Sequence, residues 1–184
     1  MAHIVTGSVD GTARIWRMTD GSHVRTLEGH TGAVCSVCVS PDGKHVVTAS
    51  ADRTARVWRM DEGAILHTLR GHTGAVMSVC VSPDGKHVVT GSNDKSAQVW
   101  LMADGTHVRQ IKGHSNAVVS VSMSPDGAQV VTASLDKTVR WWRMTDGMNT
   151  LALPGCAVCV SPDGMHVVTV TDQTARVFRI ADGR

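Results

Sequence analysis

The chain repeats itself with a period of 42 residues, and this period constrains its fold more than any other feature. The dipeptide Gly-His recurs at this spacing, and so does tryptophan, at Trp16, Trp58, Trp100 and Trp142. The tetrapeptide Ser-Pro-Asp-Gly begins at Ser40, Ser82 and Ser124, and once more 37 residues later at Ser161. Internal periods of this length are typical of proteins in which similar small units stack on one another.

Each period has the pattern of short antiparallel strands. The segments AVCSVCVS, KHVVTAS, TARVWR and AILHTL are rich in β-branched and small apolar residues, and SPDG and MDEG between them are turn signals. One period therefore predicts a four-stranded meander that is apolar on both faces and must stack against its neighbours. Radial stacking would give a β-propeller, and a linear β-solenoid is the alternative.

The string GH…SPDGKHVVTASADRTARVW resembles the WD40 repeat, and the resemblance covers nearly the whole chain. It implies an all-β fold, a WD40-type β-propeller of about five blades, in a single domain of residues 1–184. The approximate blade limits are 1–28, 29–70, 71–112, 113–153 and 154–184. The resemblance also implies a buried hydrogen-bonded set of four side chains in each complete blade, namely His30, Ser50, Asp52 and Trp58; His72, Ser92, Asp94 and Trp100; and His114, Ser134, Asp136 and Trp142.

The chemistry of these sets is reasonable without the family, because a buried carboxylate needs donors and His, Ser and Trp each supply one. The family's Asp after the tryptophan is absent here. Its place is taken by Arg17, Arg59, Leu101, Arg143 and Arg179. We expect these to be exposed residues that leave the strand; a basic band around one surface is the alternative.

The first and last copies depart from the pattern. The first has no Gly-His, and the last lacks the HTGAV segment and has Phe178 in place of tryptophan. We predict that Asp172, which would lose its buried partners, is solvated. Three complete four-stranded blades and two three-stranded terminal blades follow. They leave three possibilities: a small ring with two thin blades, self-association with a second copy through the incomplete terminal blades, or a fragment of a longer repeat array.

No motif in the chain predicts catalysis, a cofactor or a metal. Two Cys-x-x-C strings, Cys35 with Cys38 and Cys156 with Cys159, lie on strands, where residues three apart point to opposite faces. Ser50, His30 and Asp52 have the composition of a catalytic triad, but the same trio recurs in three blades. We therefore expect a structural role and no enzymatic activity.

WD40 relatives usually bind partners on the face where the loops before the first strand and after the second strand emerge. Carried over by position, the resemblance implies a partner-binding face of small, apolar residues that includes Cys35, Met77, Val119, Ala51, Asn93 and Leu135. Trp141 is a further irregularity, because the other copies have Val or Ile there. It predicts either an overfilled or a widened gap between blades.

Composition and charge narrow the function classes. The net charge of +2 is too weak to predict a nucleic-acid or membrane partner, and the N-terminal segment has no signal-peptide pattern. We expect a cytoplasmic or nuclear protein. The resemblance predicts a non-catalytic protein- or peptide-binding scaffold built from WD40 repeats. The alternative is the sensor or structural part of a multidomain signalling protein.

Overall fold

All regular elements of the described residues are β-strands. A computed structural model describes residues 3–161, 163–171 and 174–179 of the chain, so that Asp172 and the prediction made for it lie outside the described residues. The strands form five sheets, which we call blades 1 to 5. They are β1 (His3–Gly7), β2 (Ala13–Arg17) and β3 (His23–Leu27); β4 (Val34–Val39), β5 (His45–Ser50), β6 (Thr54–Arg59) and β7 (Ile65–Arg70); β8 (Val76–Val81), β9 (His87–Ser92), β10 (Ser96–Leu101) and β11 (His107–Lys112); β12 (Val118–Met123), β13 (Gln129–Ser134), β14 (Thr138–Arg143) and β15 (Asn149–Pro154); and β16 (Ala157–Val160), β17 (His166–Val170) and β18 (Ala175–Arg179).

Every blade is an antiparallel meander in which sequence neighbours pair, with three, four, four, four and three strands. This confirms the all-β propeller architecture and the strand count predicted from the repeat, and it excludes the linear solenoid. The Ser-Pro-Asp-Gly turns close as predicted. In the first of them the amide of Gly43 donates to the carbonyl of Ser40 at 2.8 Å, and Gly43 has φ of 69°.

Consecutive blades pack through two different faces. One face, which we call the valine face, carries Val47, Ala55 and Val57 in blade 2; the other, the tryptophan face, carries Val46 and Trp58. Four buried clusters join the valine face of each blade to the tryptophan face of the next. Because both faces are apolar, a blade needs a neighbour on either side to bury both of them.

Polar contacts reinforce the packing along the inner strands β4, β8, β12 and β16. The hydroxyl of Ser36 accepts the amide of Val79 at 3.4 Å, and Ser78 accepts the amide of Val121 at 3.1 Å. At the outer strands, the Arg109 guanidinium donates to the carbonyl of Asp146 in the next blade at 2.7 Å. The interface between blades is therefore apolar in the middle and hydrogen-bonded at its inner and outer edges.

The blades form an open arc. Blade 1 packs on blade 2, and the contacts continue in order to blade 5, but within residues 3–161, 163–171 and 174–179 no comparable packing joins blade 5 to blade 1. The same described residues contain no helix long and apolar enough to cross a membrane.

Trp141 marks a wider gap rather than an overfilled one. It is 1% exposed and packs in the interface between blades 4 and 5, whose cluster also contains Val167 and Phe178. Blade 5 supplies the smaller Phe178 where the other blades supply tryptophan, and Trp141 fills the space from the opposite side. Among the residues that the structure describes, its buried indole Nε1 has no hydrogen-bond partner, so Trp141 contributes volume to this interface.

Candidate functional site

A chain of four side chains runs through blade 3. The indole Nε1 of Trp100 donates to the hydroxyl of Thr90 at 2.9 Å, Thr90 Oγ1 lies 2.8 Å from Nε2 of His72, and His72 Nδ1 lies 2.7 Å from Asp94 Oδ2. The three corresponding hydrogen bonds in each of blades 2 and 4 have donor–acceptor distances of 2.7–2.8 Å. They are Trp58, Thr48, His30 and Asp52, and Trp142, Thr132, His114 and Asp136.

The prediction that a serine supplies the hydroxyl group of each set is wrong. The serines Ser50, Ser92 and Ser134 do not bridge histidine and tryptophan. Ser50 donates to the carbonyl of Gly32 at 2.9 Å and accepts the amide of Asp52 at 3.1 Å. The register explains the difference: Trp58 stands opposite Val46, so its indole reaches Thr48, the next residue on that face, whereas Ser50 lies a further step along the strand.

The carboxylate of each set has its hydrogen-bonding capacity filled. Besides His30, Asp52 accepts the amide and hydroxyl of Thr54 at 2.9 and 2.6 Å and the amide of Thr31 at 3.1 Å. Burial alone would raise the pKa of Asp52, but the hydrogen bonds from Thr54, His30 and the backbone outweigh it and lower the pKa to about 2. Asp52 is therefore a carboxylate at neutral pH.

The histidines are neutral. Burial lowers the pKa of His30, His72 and His114 below 6.5, and this outweighs the opposing effect of the aspartate hydrogen bonds. Because an ionised carboxylate only accepts, the proton of the neutral ring must be on Nδ1, and Nε2 then accepts from the threonine hydroxyl. The direction of donation runs from tryptophan through threonine and histidine to aspartate.

The terminal blades keep parts of this chain. In blade 1 the indole of Trp16 donates to Thr6 at 2.9 Å, and the guanidinium of Arg14 donates to Oδ2 of Asp10 at 2.8 Å, on the oxygen that histidine occupies elsewhere. In blade 5 the hydroxyl of Thr169 donates instead to the carbonyl of Pro154 at 3.1 Å.

The trio Ser50, His30 and Asp52 does not have the geometry of a nucleophilic triad. The Ser50 hydroxyl donates to the carbonyl of Gly32, and the hydroxyls beside the His30 ring belong to Thr48 and Thr54. The His30 side chain is 1% exposed, so a substrate in solvent does not reach it. The chain of four side chains joins strands and turns within its blade, and the exposed loops beside it are the surface that a partner can reach.

Three inner strands carry a β-bulge at this end. The register of β4 shifts at Cys35, that of β8 at Met77 and that of β12 at Val119. Beside each bulge lies the turn residue predicted with it, because the amides of Ala51, Asn93 and Leu135 donate at 2.9 Å to carbonyls that precede the bulged strands. We call these six residues the bulge surface. Cys35, Ala51, Asn93 and Leu135 are exposed, and Met77 and Val119 are half-buried.

A model of the family described as "WD domain, G-beta repeat" matches residues 1–17, 21–59, 63–100, 105–143 and 153–179. The chain belongs to the WD40 repeat family. Among individual proteins, it is 54% identical over 43 residues to "Ribosome assembly protein 4" of Chaetomium thermophilum, a match that covers 23% of this chain and 8% of that protein. It is 54% identical over 39 residues to "WD repeat-containing protein 86" of Homo sapiens, covering 21% and 10% of the two chains.

A third relative, "Coatomer subunit beta'-2" of Arabidopsis thaliana, is 48% identical over 40 residues, which is 22% of this chain and 4% of that protein. The chain thus matches a tenth or less of the length of each of these WD40 relatives. Each match has the length of a single repeat, so the similarity establishes the blade sequence and not the activity of the whole relative.

The turns of this WD40 chain contain basic residues that were not predicted from the sequence as part of the binding surface. In each complete blade the residue after the buried aspartate is basic and has a left-handed backbone: Arg53 with φ of 71°, Lys95 with φ of 71° and Lys137 with φ of 67°. In blade 1 the same place is Gly11, with φ of 84°. A side chain with a Cβ is strained in this region, where glycine is the default. The signal in the sequence was the recurrence of Asp-Arg or Asp-Lys.

The arginines after the WD40 tryptophans form local ion pairs. Arg59 lies 2.7 Å from Glu62, and Arg143 lies 2.7 Å from Asp146, in the turns that follow their strands. All four side chains are at least 37% exposed, so solvent screens each pair and its contribution to stability is small. Arg59, Arg143 and Arg179 are exposed, as expected, whereas Arg17 and Leu101 are half-buried. The alternative of a basic band around one surface stays a prediction.

The cysteines carry free thiols. The thiol of Cys35 donates to the carbonyl of Ala33 and that of Cys38 to the carbonyl of Val39, both at 3.6 Å. In the part of the chain that the structure describes, no group of three or more His, Cys, Asp or Glu residues is placed to hold a metal ion.

Proposed function

We propose that this WD40 chain is a non-catalytic scaffold that binds a protein or peptide on the bulge surface, and that the partner carries acidic side chains. The observation that supports this most is the pair of exposed turn cations Arg53 and Lys95, held at positive φ beside the bulges. A left-handed lysine or arginine costs stability where glycine would not, and such strain is typical of residues kept for binding.

The bulge surface itself would supply the apolar part of the contact. Leu135 is 53% exposed, and the half-buried thioether of Met77 adapts to differently shaped side chains. A bulge redirects its side chain relative to a regular strand, so Cys35, Met77 and Val119 form a row at the ends of three adjacent inner strands. An extended peptide with alternating apolar and acidic residues matches a row of this kind flanked by cations.

The buried position of the histidines supports the absence of catalysis, because the side chains of His30, His72 and His114 are only 1–2% exposed. A cytoplasmic or nuclear location stays a prediction from the sequence.

The proposal is tested with two fluorescein-labelled peptides, one of alternating Leu and Glu and one of alternating Leu and Lys, by fluorescence anisotropy. We expect the acidic peptide to bind and the basic one not to bind. The double variant Arg53→Glu with Lys95→Glu should weaken the affinity at least about tenfold, since like charges then face each other. Met77→Asp should weaken it as well.

The matched control reverses two lysines at the opposite end of the same blades, Lys44→Glu with Lys86→Glu. Both lie in Ser-Pro-Asp-Gly turns and are exposed. The control should leave the affinity for the acidic peptide within about twofold, because these charges are separated from the bulge surface by the length of the strands. Equal losses in the two double variants, or no preference for the acidic peptide, would contradict the proposal.

A further inference from the structure

The two ends of the arc expose opposite halves of one interface. At each of the four junctions inside the chain, a valine face packs on the tryptophan face of the next blade. Blade 5 has no blade packed on its valine face, and blade 1 has none on its tryptophan face, within the residues that the structure describes.

The free valine face of blade 5 is apolar and open to solvent. Val168 is 37% exposed, Val170 is 40% exposed and Val177 is 63% exposed. Their register partners show which residues they correspond to in the other blades, because Val168 pairs with Val177 as Val47 pairs with Val57. Val47 and Val57 are both 0% exposed, covered by blade 3.

The free tryptophan face of blade 1 is the counterpart. Ile4 is 49% exposed and pairs with Trp16, just as Val46, which is 0% exposed, pairs with Trp58. Met18 is 61% exposed, whereas Met102 at the same place in blade 3 is 8% exposed.

We infer that the valine face of blade 5 binds the tryptophan face of blade 1 in a second copy of this chain, head to tail. The occupant follows from continuity with an interface that the chain already forms four times, three of them with valine or isoleucine on one side and tryptophan on the other. The contact is heterologous, because two different patches meet, and such contacts leave one free face of each kind at the ends of a dimer. It goes beyond the proposed binding of a peptide on the bulge surface and does not use that surface.

The new junction should be weaker than those inside the chain. Among the described residues no strand lies on the inner side of β1, so the contact analogous to the Ser36–Val79 hydrogen bond does not form there. We therefore expect reversible association in the micromolar range rather than a permanent oligomer.

The test uses two variants of the full chain, each blocked at one end. Val177→Asp places a carboxylate on the valine face of blade 5, and Ile4→Asp places one on the tryptophan face of blade 1. A buried unpaired charge weakens an apolar contact at least about tenfold, so each variant alone should be monomeric by sedimentation velocity at concentrations where the wild type associates. An equimolar mixture should form a one-to-one dimer, because each variant retains the face that the other needs.

Val108→Asp is the matched control. Val108 lies on the outer strand β11 and is 46% exposed, so the same change of charge occurs outside both faces, and the wild-type association should persist. Circular dichroism establishes that the variants are folded, as expected for substitutions at exposed positions. Four results would each overturn the inference: a monomeric wild type, a mixture that stays monomeric, association lost in only one of the two variants, or association equally lost in the control.

Discussion

Replacing Thr90 by Val tests the role assigned to the threonine that was not expected from the sequence. Thr90 is 0% exposed, and its hydroxyl joins Trp100 and His72 at 2.9 and 2.8 Å. Valine has nearly the same shape, so no cavity forms, but the indole N–H and the imidazole Nε2 lose their common partner. Each buried polar group left unpaired costs about 1–3 kcal/mol, so the loss of both partners should lower the free energy of unfolding of Thr90→Val by about 2–6 kcal/mol.

The assay is urea unfolding followed by tryptophan fluorescence, with the midpoint compared at an unchanged dependence on denaturant. Thr169→Val is the matched control, because Thr169 is also 0% exposed at the same place in blade 5, and within the described part of the chain its hydroxyl bonds only the carbonyl of Pro154. It should cost about 1 kcal/mol. A loss for Thr90→Val no larger than for Thr169→Val would refute the role of Thr90 as the bridge.

Three further predictions concern packing, strain and pH. Trp141→Val should lower the free energy of unfolding by about 2–3 kcal/mol, because it opens a cavity between blades 4 and 5. Adding Phe178→Trp should recover part of that loss in a double-mutant cycle measured by urea unfolding, and full additivity of the two changes would contradict the packing of the two rings in one gap. Lys95→Gly should raise the melting temperature, by the equivalent of up to about 1 kcal/mol, because glycine adopts the positive φ of this residue without strain. The same change should weaken binding of the acidic peptide, and a lower melting temperature would be inconsistent with strain at this residue. The free energy of unfolding should fall as the pH drops below about 6.5, because the unfolded state then binds protons at histidines whose pKa is lowered in the folded state. A second loss should follow between pH 3.8 and about 2, where Asp52 is protonated in the unfolded state first. Equal urea midpoints at pH 7 and pH 5 would argue against neutral buried histidines.

The repeat predicted the elements well because each one is determined locally. The turn chemistry of Ser-Pro-Asp-Gly fixes the hairpin, and the apolar segments on either side of it have the length of a strand. The recurrence of the tryptophan then fixes how the units correspond to each other. The number of strands in each of the five blades followed from these local signals and from the two incomplete copies.

The sequence-based predictions were wrong or incomplete where the strand register determines which side chains meet. Thr48 and Ser50 lie two residues apart on one face of the same strand, and the sequence does not show which of them the indole of Trp58 reaches. The bulge at Cys35 is equally invisible, because one extra residue in a strand leaves no mark on composition. Trp141 could be seen to be unusual, but only the packing of blade 4 against Phe178 shows why it is large.

The most direct test of the buried chain of four side chains is the tautomeric state of its histidines, measured from the ¹⁵N chemical shifts of the ring nitrogens. His30, His72 and His114 should carry their proton on Nδ1, and each ring should become protonated only below pH 6.5, because burial lowers its pKa. Three rings with the proton on Nε2, or rings that are already mostly charged at pH 6.5, would contradict the hydrogen-bonded chain from tryptophan to aspartate.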